Sequence, residues 1–141
     1  MGFKLKIEGV ENIELGLASL KTVQLKTDIP IDSNARSTDL GSTLTITGKI
    51  LAAVDGGNAD DTMKLTQWSL VPAEKADCYR KATVEVLAAD QVVRKIYFPN
   101  AFVVDYNENY GDTQGTGTFD LVIRQKKDKM PDVKVEGGYN A

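Results

Sequence analysis

Histidine is absent from this 141-residue chain, and it has one cysteine, one tryptophan and four prolines. Without histidine, the chain lacks the side chain that most often performs acid–base catalysis near neutral pH and the commonest ligand for transition metals. The single cysteine, Cys78, excludes an intrachain disulfide and a zinc site built on cysteines. These absences favour assembly or binding over catalysis.

Long apolar runs are also missing. No stretch approaches the roughly 20 residues that span a bilayer. The first eight residues, Met1 to Glu8, alternate polar and apolar types and do not contain the apolar centre of a signal peptide. We therefore expect no signal peptide, with synthesis and assembly in the cytoplasm and any export by a route without a cleavable leader.

The overall charge disfavours two classes of partner, nucleic acid and membrane surfaces. The net charge is −3, from 17 basic and 20 acidic residues. No basic stripe offsets it, which argues against sequence-specific binding of nucleic acid and against a membrane surface. Apolar residues make up 42% of the chain and charged residues 26%, as in ordinary globular proteins. At this length the chain is most economically one domain with its own core.

Alternation of polar and apolar residues predicts a mainly β fold. Strands are expected at residues 3–8, 19–26, 43–51, 81–87, 92–98, 102–106 and 117–125. We interpret Ala88 to Gln91 as a tight hairpin, Pro99-Asn100 as a turn, and residues 107–116 as a polar loop. Phe102, Val104 and Tyr106 form a period-2 set on one face. The prediction is an antiparallel β-sandwich or small barrel of six to seven strands with one α-helix.

The helix is expected from about Ala59 to Val71. Asn58 is a candidate N-cap, and the acidic residues Asp60 and Asp61 lie in the first turn, where they favour the positive end of the helix dipole. Leu65 and Trp68 share one face, and a single amphipathic helix must pack that face against a sheet edge or barrel mouth. We expect one β domain over residues 1–129, followed by a C-terminal tail at 130–141.

One strand has an unusually polar face. The apolar residues Leu44, Ile46 and Ile50 alternate with a polar set: Thr43, Thr45, Thr47 and Lys49. A second strand shows the same pattern with Thr22, Gln24 and Lys26. These polar faces are either solvated outer surfaces or the lining of a polar pore. The loop between the two strands, Thr27 to Ser42, is long enough to bind something, or is a plain surface loop.

No group of residues has the pattern of a catalytic, metal or cofactor site. Asp60 and Asp61 stabilise a helix start, and the spacing of the loop acids does not fit a calcium-binding EF-hand: Asp28, Asp32 and Asp39. The segment Gly111-Asp-Thr-Gln, like Ser37 to Gly41, could be mistaken for an aspartic-protease motif, but Asp112 lacks the hydrophobic strand that leads into that turn. Cys78 is interpreted as a structural thiol, since no histidine can activate it.

The segment from Asn58 to Lys127 resembles known proteins. An acid-capped helix is followed by the strand Lys-Ala-Thr-Val at 81–84, a hairpin, Phe-Val-Val-Asp-Tyr at 102–106, and Gly-Thr-Gly-Thr-Phe-Asp-Leu-Val-Ile-Arg-Gln-Lys-Lys at 115–127. With the Thr-rich strand and the long loop before it, this order resembles the tube proteins of contractile injection systems. They include the haemolysin-coregulated protein of type VI secretion and the tail-tube proteins of contractile phages and phage-like particles.

The resemblance implies a structural subunit without cofactors that forms stacked hexameric rings around a polar lumen. Its partners would be other copies of itself, together with sheath and baseplate proteins, and it would be exported or injected as part of a tail-like particle. The lumen would be lined by Thr22, Gln24, Lys26, Thr43, Thr45, Thr47 and Lys49. Contacts to the next ring would come from the long loop, through Asp32, Ser33, Asn34, Arg36, Ser37 and Asp39.

A different function class stays open. A monomeric β-sandwich that binds a ligand or carbohydrate would need an exposed aromatic platform. The candidate residues for such a platform are Trp68, Tyr97 and Tyr106.

Overall fold

The computed structural model describes residues 1–28, 41–50, 62–72, 74–111, 117–125 and 132–137. These residues form eight strands, one α-helix and one short 3₁₀ helix, Ala76–Cys78. The strands are β1 Gly2–Glu8, β2 Ile13–Leu15, β3 Leu20–Asp28, β4 Gly41–Ile50, β5 Arg80–Ala88, β6 Gln91–Tyr110, β7 Gly117–Gln125 and β8 Lys134–Gly137. The helix, α1, spans Thr62–Ser69, within the predicted range, and residues 59–61 lie outside the described part.

All strand pairings are antiparallel, in the order β2-β1-β5-β6-β7-β4-β3, with β8 beside β6. The predicted fold class is confirmed: mainly β, antiparallel and sandwich-like, with one helix. The sheet folds into two layers that share β6. The β1 layer contains β2, β1, β5, residues 91–98 of β6, and β8. The β4 layer contains residues 101–110 of β6, then β7, β4 and β3.

The hairpin between β5 and β6 is confirmed. Ala88 pairs with Gln91, and the two residues between them have positive φ angles, 51° at Ala89 and 64° at Asp90. Positive φ at both central residues is the geometry of a type I′ turn, whose twist matches that of the flanking strands. This turn aligns β5 with the first half of β6.

The predicted turn at Pro99-Asn100 is wrong, because β6 runs unbroken for 20 residues. Pro99 lies at an irregularity in the pairing with β5, between Phe98, which pairs with Ala82, and Ala101, which pairs with Arg80 of β5 on one side and Gln125 of β7 on the other. Proline is tolerated at such a point since its missing N–H is not needed in either ladder. The next N–H, that of Asn100, donates to the Gln125 side-chain oxygen at 3.0 Å.

The second half of β6 differs from the prediction in two further ways. A register irregularity between Val103 and Asp105 leaves Val104 out of the pairing with β7, so Phe102 and Tyr106 lie on opposite faces and do not share one face. Residues 107–110, predicted to be loop, continue the strand. Both differences arise from pairing with β7, which overrides the low strand propensity of Asn and Glu.

Two short strands were not predicted. β2 pairs with β1, and β8 lies in the segment expected to be a tail, where Lys134 pairs with Tyr97 of β6. β8 continues the line of β7 along β6, since Gln125 at the end of β7 pairs with Ala101. The domain boundary at residue 129 stays a prediction.

The hydrophobic core fills the space between the two layers, and α1 closes one end of it. Leu65 and Trp68 are fully buried, as predicted for the apolar face of the helix. The Trp68 indole N–H donates to the Cys78 carbonyl at 2.9 Å, and the Arg80 guanidinium lies 5.5 Å from the Trp68 ring centre. Arg80 also pairs with Asp77 at 2.8 Å, so its buried charge is satisfied. Cys78 is buried, consistent with a structural thiol.

Candidate assembly surface

The face of the β4 layer that points away from the core is mostly polar, although Val122 of β7 and Phe102 of β6 also lie on it. Thr22 pairs with Thr47, Gln24 with Thr45 and Lys26 with Thr43. Residues directly opposite each other in an antiparallel pair point to the same face. These six of the seven predicted polar side chains of β3 and β4 therefore share one surface. The Thr22 and Thr47 hydroxyls are 2.5 Å apart, within hydrogen-bond distance.

The same face continues onto β7 and β6. Lys49 pairs with Thr118, Thr47 with Asp120 and Thr43 with Arg124, whose Nε donates to the Thr43 hydroxyl at 3.1 Å. Beyond β7, the polar face includes Asp105, Asn107 and Asn109 of β6. Sequence reasoning missed Asn107 and Asn109 because segment 107–116 was interpreted as a loop. Their alternation with Tyr106, Glu108 and Tyr110 was the available signal.

The opposite face of the β4 layer is the core. The inward side chains Leu44, Ile46, Phe119, Leu121 and Ile123 are completely buried. The predicted division of β4 into a polar and an apolar face is thus confirmed.

The edges of the two layers differ in length. In the described part of the chain, β3 pairs only with β4, and residues 102–110 of β6 pair only with β7. The β4 layer therefore has two long edges, one formed by the nine residues of β3. The β1 layer ends in the three residues of β2 and the four of β8. Long edges with unpaired backbone groups are templates for pairing with another chain, whereas short edges discourage it.

A hydrogen-bonded cluster holds α1 onto β6 near one of these long edges. Glu108 accepts from the Thr66 hydroxyl at 2.5 Å and from the Tyr106 hydroxyl at 2.7 Å. The Tyr110 hydroxyl donates to the other carboxylate oxygen. The cluster therefore attaches α1, through Thr66, to the face of β6 that points towards the core.

Titration of these groups is coupled to the hydrogen bonds. Burial acts to raise the pKa of Glu108, but the three hydroxyl donors stabilise its charged form and together hold the pKa below the usual value. Burial, followed by the bond to Glu108, raises the pKa of Tyr106, and the bond to Glu108 raises that of Tyr110. The carboxylate is therefore the charged centre of the cluster at neutral pH.

We expect Glu108→Gln to lower the free energy of unfolding at pH 7 by about 1 kcal/mol, since solvent screens a partly exposed carboxylate. Because the folded pKa is depressed, the stabilisation is present above the unfolded-state pKa of about 4.3 and is lost as pH falls through the folded pKa. Urea titrations from pH 7 to pH 3 should show the two proteins converging in acid. Glu11→Gln, in the exposed β1–β2 turn, is the control. A difference that persists unchanged to pH 3 would contradict the prediction.

The remaining predicted sites are the long loop, the acidic residues and the aromatic platform. The six ring-contact candidates of the long loop, the Asp60-Asp61 pair and Asp112 lie outside the described residues. Within the described ranges, no group of three or more Cys, Asp or Glu is placed to hold a metal ion, and no helix is long and apolar enough to cross a membrane. Trp68 is in the core, so it cannot join Tyr97 and Tyr106 in an exposed aromatic platform.

No protein-family model matches the sequence, and no curated protein sequence is similar to it. Solved structures, in contrast, match along nearly its whole length. Hcp1 from Flavobacterium johnsoniae has a TM-score of 0.59 at 18% identity, covering 100% of both chains. The chain has the same fold as Hcp1.

Two further structures share this fold. A chain in the sixfold-symmetrised baseplate of the anti-feeding prophage has a TM-score of 0.56 at 9% identity, with 96% of this chain and 93% of that one covered. A chain in the sheath–tube complex of PVC, an extracellular contractile injection system, has a TM-score of 0.52 at 10% identity, with 97% and 89% covered. The resemblance drawn from the sequence is thus confirmed at the level of fold.

Proposed function

We propose that this protein is a structural, non-catalytic subunit of the inner tube of a contractile injection apparatus. The observation that carries the proposal is the β4 layer: four antiparallel strands, polar on one face and packed on the core by the other, with a long edge on each side. A ring of copies joined edge to edge would make this layer part of a continuous barrel. The polar faces would then line its bore.

The strand directions support closure of such a ring. Across β3, β4, β7 and β6 the direction alternates, so β3 and β6 run antiparallel to each other. A neighbour's β3 placed beside residues 102–110 of β6 therefore continues the antiparallel pattern. An interface between two different edges is heterologous, and it closes into a ring when rotation returns to the first copy. Closure also removes both exposed edges.

The finer features of the assembly follow the resemblance. Six copies per ring agree with the sixfold symmetry of the anti-feeding prophage structure. The lumen is assigned to Thr22, Gln24, Lys26, Thr43, Thr45, Thr47 and Lys49, together with the polar residues of β6 and β7. Ring-to-ring contacts are assigned to the long loop through Asp32, Ser33, Asn34, Arg36, Ser37 and Asp39.

The proposed partners are other copies of this chain and the sheath and baseplate proteins around the tube. The outer surface of the β1 layer, which faces away from the proposed lumen, is available for such contacts. We propose assembly in the cytoplasm and release as part of a tail-like particle. The fold similarity to a chain in an extracellular sheath–tube complex supports this route.

The mass of the purified protein in solution tests the proposal. We expect size-exclusion chromatography with multi-angle light scattering to give a mass near six protomers of 15.4 kDa each, and negative-stain microscopy to show rings with an open centre. Stacked rings should appear at high concentration because the ring-to-ring contact is open-ended. A protein that remains monomeric at every concentration would refute the proposal.

A further inference from the structure

An inward-facing residue at the β3 edge is left partly uncovered by the described part of the chain. Leu25 pairs with Leu44 and points to the same core face. Leu44 is completely buried, whereas Leu25 is 39% exposed, and its neighbour on that face, Val23, is only half-buried. Covering apolar side chains that point towards a core and yet contact water is favourable, because it removes apolar surface from water. The core is therefore incomplete at this edge.

The opposite edge carries an apolar surface without a partner in the described chain. Thr66 faces β6, and Met63 precedes it by three residues on the same side of α1. Leu70 directly follows the last residue of α1, and its N–H donates to the Gln67 carbonyl at 3.2 Å, so the turn continues on that side. Met63 is 64% exposed and Leu70 76% exposed. The other side of α1 is held towards β2, where the Lys64 ammonium donates to the Asn12 carbonyl at 3.1 Å. Met63 and Leu70 therefore project on the β6 side of the helix.

Tyr110 extends this apolar surface along the strand. Its ring lies on the core side of β6, beside Gly117 of β7, and is 69% exposed. The hydrogen bond to Glu108 fixes its orientation in advance. An exposed aromatic ring that is already ordered is a common anchor in interfaces, because little conformational entropy is lost on binding.

We propose that α1 of one copy completes the hydrophobic core of the next. In this seam, Met63, Leu70 and Tyr110 of one protomer cover Val23 and Leu25 of its neighbour. The inference rests on the proposed ring, and it assigns the apolar contact that accompanies the edge-to-edge strand pairing. The helix then has two roles: Leu65 and Trp68 close its own core, and its outer flank closes a second one.

A second copy fits this surface better than an unrelated partner. The two incomplete patches lie at the two edges that strand direction makes compatible. Both are on the core side of the β4 layer, so edge-to-edge pairing brings them to the same side of the joined sheet. The contact joins two different patches of identical copies, so it requires no additional protein.

Cross-linking of paired cysteine variants tests the seam. In Leu25→Cys/Leu70→Cys, a short bismaleimide should link copies into a ladder that reaches the full ring. The control, Gln24→Cys/Leu70→Cys, places the first thiol on the polar face and should give little product. Wild-type protein, whose Cys78 is buried, should give none. Rings that form without a ladder, or equal ladders in both double variants, would overturn the seam and leave the proposed tube function intact.

Charge variants give an independent measurement. Met63→Glu/Leu70→Glu should reduce the fraction of protein in rings by more than about tenfold, since burying two carboxylates in an apolar contact is unfavourable. Its monomer should unfold at the wild-type temperature because both positions are exposed. Val10→Glu, at an equally exposed residue of the β1–β2 turn, should form rings normally. Wild-type yields of rings in the double variant would overturn the seam, while absence of rings in the wild type would overturn both proposals.

Discussion

Proline at one of two adjacent β3 positions is expected to leave the protein folded and to abolish ring formation. Along an edge strand, backbone N–H groups point alternately towards the neighbouring strand and outwards. Of Val23→Pro and Gln24→Pro, one removes a hydrogen bond to β4, whereas the other removes only an outward N–H, which an edge strand tolerates. In the proposed ring, that outward group pairs with β6 of the next copy.

The readout combines mass and folding. The tolerated variant should keep the circular dichroism spectrum of the wild type and shift the mass from about six protomers to one. The variant that loses the hydrogen bond to β4 should have a lower free energy of unfolding. Val23→Ala and Gln24→Ala, which keep the N–H, are the matched controls and separate backbone from side-chain effects. A folded proline variant that still assembles at wild-type yield would show that β3 is not a ring edge.

Gly48→Ala is expected to destabilise the fold strongly, while Gly16→Ala is not. A Cβ at Gly48 would lie 2.5 Å from the Ser19 carbonyl oxygen and 2.6 Å from the Phe119 ring. The Ser19 carbonyl also accepts from the Lys49 N–H at 2.6 Å, so the backbone cannot move away without breaking that bond. Overpacking of this kind costs about 2–3 kcal/mol, or about 5–10 °C in melting temperature.

Gly16 is the matched control because a Cβ there meets nothing within 4 Å. The same substitution at Gly16 should be neutral or stabilise the protein by up to about 1 kcal/mol, through lower entropy of the unfolded chain. Thermal unfolding followed by the fluorescence of Trp68, the single tryptophan, measures both variants. Equal melting temperatures for the two variants would contradict the prediction, since they would mean that Ser19 and Phe119 can move to accommodate a methyl group at Gly48.

Local patterns in the sequence were sufficient to predict which side chains are buried wherever the spacing along a single strand or helix decides it. Alternation at Thr43 to Ile50 identified which face of β4 is buried, because side chains in a strand point to opposite faces with period 2. Leu65 and Trp68 were assigned to the core because residues three positions apart lie on the same face of a helix. The absence of histidine and the single cysteine disfavoured catalytic and zinc chemistry.

Pairing between distant segments decided the rest. The continuity of β6 through Pro99, the switch of faces at Val104 and the strand character of residues 107–110 are all set by β7, which lies next to β6 in space. Neither β2 nor β8 is long enough to produce a periodic signal, so each exists only through its partner.

By itself, the sequence determined the fold class, the two-sided nature of β3 and β4, and the resemblance to tube proteins, since these depend on period and order along the chain. Only the tertiary structure placed the polar residues of four strands on one face and left two long edges beside it. Which backbone groups and apolar side chains remain uncovered is a property of the folded layers, because it depends on which segments are adjacent in space.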